Sequence, residues 1–164
     1  MPVVRTSQPL PRLARAALAF EAFLSIGAIG GGGALMLGSR GELIPLPVSS
    51  LSGSPFDTYF VPGLILFGVL GLGPLVAALL IWLRHPLAPI GAIGVGVALL
   101  IWLAVEIVIV GYTNEPPFQP FYLVIGAATT AIGLGWAAEV GPDALRRGLR
   151  ISQDPLPATS AHGE

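Results

Sequence analysis

The sequence predicts an all-α fold: a four-helix transmembrane bundle with its N- and C-termini cytoplasmic. Three observations predict it. The chain is 54% hydrophobic and only 10% charged, with a mean hydropathy of +0.81. Soluble domains carry roughly 25% charged residues, so a chain this apolar takes a bilayer as its solvent. Four apolar runs each reach the roughly 20 residues that cross a hydrocarbon layer of about 30 Å. Finally, seven of the eight arginines fall on one side of those runs, and such a bias sets orientation.

The first span covers residues 16–37 and is interrupted by Glu21 and Ser25. Arg12 and Arg15 before an apolar run also mark a signal peptide, but this run exceeds a usual h-region and contains Glu21, so it reads as a retained span. The second span covers residues 59–83 and the third 87–112. The fourth, 121–140, holds Thr129 and Thr130 and is the least hydrophobic. Arg5, Arg12 and Arg15 precede the first span, Arg84 joins the second to the third, and Arg146, Arg147 and Arg150 follow the fourth; Arg40 alone lies on the opposite side. The arginine-rich side is therefore the cytoplasmic one. Tyr59, Phe60, Tyr112, Phe118, Phe121 and Tyr122 then cluster at the outer interface and Trp82 and Trp136 at the inner one, where amphipathic rings prefer to lie.

The connections follow from turn chemistry. Residues 38–58 form the outer loop, and its stretch from Leu46 to Leu51 suits a short helix on the membrane surface. Ser54-Pro55-Phe56-Asp57 reads as a capped helix start, with Ser54 as cap and Pro55 in the first helical position. Asn114-Glu115-Pro116-Pro117 makes a tight outer turn and Arg84-His85-Pro86 a tight inner one. Short turns imply antiparallel neighbours. Residues 1–15 are expected as a disordered cytoplasmic N-terminus. Residues 141–164 form a cytoplasmic tail whose first part, with Asp143, Arg146 and Arg147, suits a short helix beside anionic headgroups.

Small residues recur at helical spacing: Gly27, Gly30 and Gly31; Gly91, Ala92, Gly94 and Gly96; Gly126, Ala127, Thr130 and Gly133. Such stripes let helix backbones approach one another in lipid. Pro74, within Gly71-Leu72-Gly73-Pro74, removes a helical hydrogen bond and predicts a kink in the second span.

Several function classes drop out. No basic stripe points to nucleic acid. The absence of cysteine excludes thiol redox chemistry and cysteine zinc sites, and two distant histidines, His85 and His162, make no metal site. No internal repeat of the transporter kind is visible. No catalytic, metal or cofactor-binding set emerges, and His85 has no nucleophile beside it.

Ionisable groups inside a bilayer are costly and mark candidate sites. Glu106 lies about two turns below the outer interface, with Trp102 on the same face and Ile109 and Thr113 beyond it. Tyr112, Tyr122, Asp57 and Gln119 lie toward the same end. Together with Glu106 and Trp102 they are the candidate ligand-binding residues of an outer, polar-and-aromatic site, with Thr129 deeper along the fourth span. Glu21 shares a face with Ser25, Ala28 and Gly32 and has Arg12, Arg15, Arg84 and Arg146 on its side of the membrane. An interfacial ion pair is its expected state. Glu21 and Pro74 are the structural or proton-relay candidates.

Three readings follow. The leading one is a non-catalytic multi-pass protein that binds a lipid-like ligand, or another membrane protein, through the outer half of spans three and four. The second is a proton-coupled transporter subunit using Glu106. The third is an isomerase-type membrane enzyme acting on a hydrophobic substrate. Besides the lipid bilayer, the expected partners are that ligand or protein.

Phe20-Glu21-Ala22-Phe23, Ser54-Pro55-Phe56-Asp57 with Val61-Pro62-Gly63-Leu64, Gly73-Pro74, and Glu106 followed by Gly111-Tyr112 and Gln119-Pro120 make up one pattern over residues 16–140. In it the chain resembles uncharacterised small four-span integral membrane proteins of high-GC Gram-positive bacteria. That resemblance implies the four-span architecture and a bacterial plasma-membrane location, and no activity.

Overall fold

The structure, a computed structural model, describes residues 9–44, 46–112, 117–143 and 145–146. Among these residues all regular structure is helical and no strand occurs. Four helices are long and apolar enough to cross a membrane: α1 (Arg12–Leu37), α2 (Phe60–Trp82), α3 (Ala88–Val110) and α4 (Phe118–Val140). At ~1.5 Å per residue the shortest of them spans about 35 Å, more than the hydrocarbon layer. Their outward faces are apolar, with Ile26 and Val108 largely exposed. In water such faces would be unstable; lipid solvates them at no cost.

Each helix packs on its neighbours in sequence, and α1 closes the ring against α4. The core has three tiers. At the arginine-rich end Ala14, Ala17, Ile81, Ala88, Ala92 and Trp136 pack together. Leu24, Leu70, Ala77, Val95, Leu99 and Leu103 form the middle. At the loop end Leu35, Leu51 and Tyr59 pack beneath the long connection. Trp136 thus points into the bundle rather than to the headgroup level, whereas Trp82 stays exposed at its helix end.

Close approach is set by fewer glycines than the small-residue stripes contain. A Cβ on Gly32 would lie 2.6 Å from the Phe67 nitrogen and 2.8 Å from the Gly63 oxygen, so α1 and α2 touch backbone to backbone. Gly96 meets Thr130 and Gly126 in the same way across α3 and α4. Gly30 and Gly94, in contrast, face open space. They lie on lipid-facing positions, where glycine is simply frequent in membrane helices.

The second span departs from a plain kinked helix. Residues Phe60–Ile65 are α-helical, Leu66–Leu72 form a π-helical stretch, and Gly73–Trp82 return to α geometry. Pro74 is buried directly after the wide turns. Proline offers no N–H and its ring collides with the carbonyl four residues back; the wider i→i+5 pattern relieves both by moving that carbonyl aside.

Helix ends also differ from expectation. α1 starts at Arg12, about one turn earlier than its apolar run. The Ser54-Pro55-Phe56-Asp57 segment caps no helix: Ser54 closes a local turn through Phe56 instead, its Oγ accepting the Phe56 N–H at 3.2 Å, and α2 begins at Phe60. The short helix expected in the 38–58 loop is a 3-10 turn, Val48–Leu51. α4 starts at Phe118, so Gln119 belongs to its first turn. The turn between α2 and α3 is a Schellman motif, in which the N–H groups of Arg84 and His85 bond to the carbonyls of Ile81 and Leu80. Arg84 takes the left-handed position usually given to glycine, at φ 55°. His85 Nδ1 then accepts the Leu87 N–H at 3.2 Å and starts α3. Residues 142–143 and 145–146 are helical, as expected of the early tail. The 114–116 stretch of the outer turn and residues 1–8 and 147–164 lie outside the described residues.

Candidate functional site

Two polar features interrupt the apolar bundle, one at the loop end of α3 and α4 and one deep against α1. At the loop end, Gly111 terminates α3 and leaves carbonyls without helical partners. Gln119, 2% exposed in the first turn of α4, fills that need. Its side-chain amide donates to the Glu106 Oε1 at 3.1 Å and to the Gly111 carbonyl at 3.2 Å. Both amide hydrogens are thereby engaged, and α3 and α4 are stapled across their connection.

Glu106 itself is half-buried. Among the described residues its second oxygen has no hydrogen-bond partner, and exposed Val105 and Val108 flank it on α3. The site therefore presents a carboxyl oriented by a buried amide at the edge of an apolar surface. A ligand that suits it carries a hydrogen-bond donor on an apolar body.

The other residues expected here divide. Trp102 lies one turn deeper on α3 and packs against the middle tier. Tyr112 is exposed just past the end of α3. Tyr122 turns away toward α1: its ring packs on Phe121 at 5.3 Å, and its hydroxyl faces Gly27. Asp57 is exposed and lines a separate depression of about 300 Å³ in the 38–58 loop, whose walls include neither Glu106 nor Gln119. Thr129 is fully buried but donates its hydroxyl to its own helix, at the Ile125 carbonyl, 2.8 Å away. Thr113 lies outside the described residues. The structure thus unites Glu106 with Gln119, keeps Trp102 beside them, and places Asp57 and Tyr122 elsewhere.

The second feature corrects an expectation. Among the described residues Glu21 forms no interfacial ion pair. It is 0% exposed, and neither carboxyl oxygen has a hydrogen-bond partner among the described residues. Arg12 and Arg15 point outward. Because α1 begins at Arg12, Glu21 sits two and a half turns inside the helix rather than near its end, about 14 Å along the axis. One turn further, buried Ser25 donates its hydroxyl to the Gly71 carbonyl at 3.0 Å, within the π-helical stretch. The antiparallel register set by that bond places Glu21 level with residues 74–78 of α2, where Pro74 and Ala77 are buried.

The signal for this burial is present in the sequence. Ala14, Ala17, Glu21, Ser25, Ala28 and Gly32 recur every three or four residues, a stripe of small side chains with one acid in its middle. Such a stripe faces another helix, so its acid does too. Among the described residues no three His, Asp or Glu side chains gather as metal ligands would. No known protein family, curated protein or solved structure is significantly similar to the chain.

Proposed function

We propose that this protein is a bacterial plasma-membrane protein that binds a lipid-like amphiphile through the loop end of α3 and α4. The observation that carries the reading is the Glu106–Gln119 pair. A buried amide fixes a half-buried carboxyl whose second oxygen has no partner among the described residues, next to exposed apolar side chains. Stabilisation alone is a weak reason to keep an acid there, because inter-helix polar bonds in membranes average about 0.6 kcal/mol. The complementary ligand has a hydroxyl, amide or ammonium head to meet Glu106 and an acyl or isoprenoid body to lie along Val105 and Val108.

The arginine distribution supports an orientation with both termini in the cytoplasm and the long loop outside. The resemblance to four-span proteins of high-GC Gram-positive bacteria supports the plasma membrane as its location.

Native mass spectrometry of gently extracted wild type and Glu106→Gln tests the binding. A stoichiometric small molecule on wild type, lost from the variant, is the expected result and its mass identifies the ligand. A bare protein in both, or a bound molecule indifferent to the substitution, overturns the reading; a co-purifying second polypeptide would instead assign the surface to a membrane protein partner.

A further inference from the structure

Glu21 asks for an explanation that packing does not supply. It is among the largest fully buried side chains, and both its oxygens lack partners among the described residues. A carboxylate taken out of water without a counter-charge costs several kcal/mol, and in a bilayer such groups mark functional positions.

The surroundings on every helix contain nothing to neutralise it. α2 carries no titratable residue over Phe60–Trp82, and α3 carries only Glu106, near its far end. α4 carries Tyr122, which faces Gly27 of α1, and Glu139, which is exposed. On α1 itself Arg12 and Arg15 are exposed at the helix start. Nor do the described residues supply a coordination shell for a metal cation. The Ser25 hydroxyl is committed to Gly71, and those of Thr129 and Thr130 to Ile125 and Gly126. Sodium or magnesium needs several oxygen ligands, of which this site offers two from one carboxyl. A proton needs only one, and it removes the charge.

A second observation lies one turn away. The face of α1 that holds Glu21 is bonded by Ser25 to Gly71 in the π-helical stretch Leu66–Leu72, followed by Gly73 and Pro74. Wide π turns are rare and recur at functional positions. Glu21 is fully buried, and the register set by Ser25 and Gly71 puts it level with the turn of α2 that follows this stretch, so a shift of α1 on α2 would admit water to its carboxyl.

We propose that Glu21 is a proton-binding site in the middle of the bundle, and that its loading sets the fit of α1 against the π-helical turn of α2. With the proton on, the carboxyl is neutral and the helices close as observed. With the proton off, the carboxylate requires water, and α1 separates from residues 66–74 to admit it. The site is independent of any ligand at Glu106.

Infrared spectroscopy on protein reconstituted in phosphatidylcholine vesicles tests the proton directly. Carbon-13 glutamate in a Glu106→Gln, Glu139→Gln background leaves Glu21 as the one labelled acid inside the spans. The expected result is a protonated-acid carbonyl band that shifts in heavy water and gives way to the carboxylate band as pH rises. Hydrogen exchange across residues 66–74 should accelerate several-fold over the same pH range, and Glu21→Gln should abolish that acceleration. A carboxylate band throughout, from mildly acidic to alkaline pH, overturns the proposal without need of the Glu21 variant. Exchange that ignores pH, or a pH response that persists in Glu21→Gln, overturns the coupling.

Discussion

Ser25 donates its hydroxyl to the main-chain oxygen of Gly71 at 3.0 Å, and with that bond α1 is pinned to the one part of α2 that is not α-helical. Removing the donor leaves a buried carbonyl with one partner fewer. Ser25→Ala should destabilise the bundle by about 0.6 kcal/mol, the usual worth of such bonds in membranes. It should also raise hydrogen exchange in residues 66–72 while leaving α3 and α4 unchanged. Equilibrium unfolding in mixed micelles and exchange mass spectrometry read the two effects.

The glycines give a sharper contrast. Gly32→Ala puts a methyl group 2.6 Å from the Phe67 backbone nitrogen, which cannot move aside as a side-chain tip would. A loss of roughly 1–3 kcal/mol is expected from such overpacking. Gly30→Ala and Gly94→Ala meet nothing within 4 Å and should be neutral or stabilising by up to about 1 kcal/mol through helix propensity. Thermal unfolding of the three variants in one detergent orders them.

Gln119 and Glu106 are not equivalent partners. Gln119→Leu strips the donor from both the Glu106 carboxyl and the Gly111 carbonyl. It should cost about 1–2 kcal/mol, the net worth of two such bonds, because Glu106 is half-buried and Gly111 exposed and water can meet both acceptors. Glu106→Gln keeps an acceptor in place and should cost less than 1 kcal/mol by the same account. Near-equal losses in a denaturation series would show that Gln119 is held by something other than these bonds.

Arg84 occupies the left-handed residue of the Schellman turn at φ 55°, a position that costs a side-chain-bearing residue about 1 kcal/mol. Arg84→Gly should therefore retain the turn. Its cost should fall on orientation, since the arginine bias of the connection between α2 and α3 disappears. The chain has no cysteine, so single cysteines at Leu46 and Arg84, labelled from outside intact cells, report orientation without background. Labelling at Arg84 but not at Leu46 in the otherwise native sequence would invert the orientation proposed above.

The architecture was legible because lipid imposes a coarse rule. An apolar run of about 20 residues has few alternatives to a spanning helix, and all four spans appear within four residues of their expected ends. What failed to show was direction around the helix axis. Glu21 and Glu106 look alike in sequence as single acids in apolar runs, yet one is fully enclosed and the other only half-buried. Hydropathy does not separate inward from outward faces when both are apolar, so the separating signal had to come from small residues, and for Glu21 it did. Gln119 was placed beyond its helix because Pro116, Pro117 and Pro120 look like loop, although proline is at home in a first helical turn. The π-helical stretch had only Gly71, Gly73 and Pro74 to announce it, and these also suit a simple kink.

Tyr59 bonds the long connection twice, its N–H to the Ser39 carbonyl at 2.8 Å and its hydroxyl to the Pro47 carbonyl at 3.0 Å. The connection is thereby divided into two short arcs that share one anchor, so its length adds little chain entropy to overcome. One consequence concerns continuity rather than shape. A protease nick between Ser49 and Ser54 would sever the polypeptide but not the assembly, because α1 and α2 keep their backbone contact at Gly32 and Gly63 and the lower arc keeps its knot at Tyr59. The protein should then survive as two complementary fragments, and co-expression of residues 1–51 with residues 52–164 should rebuild it.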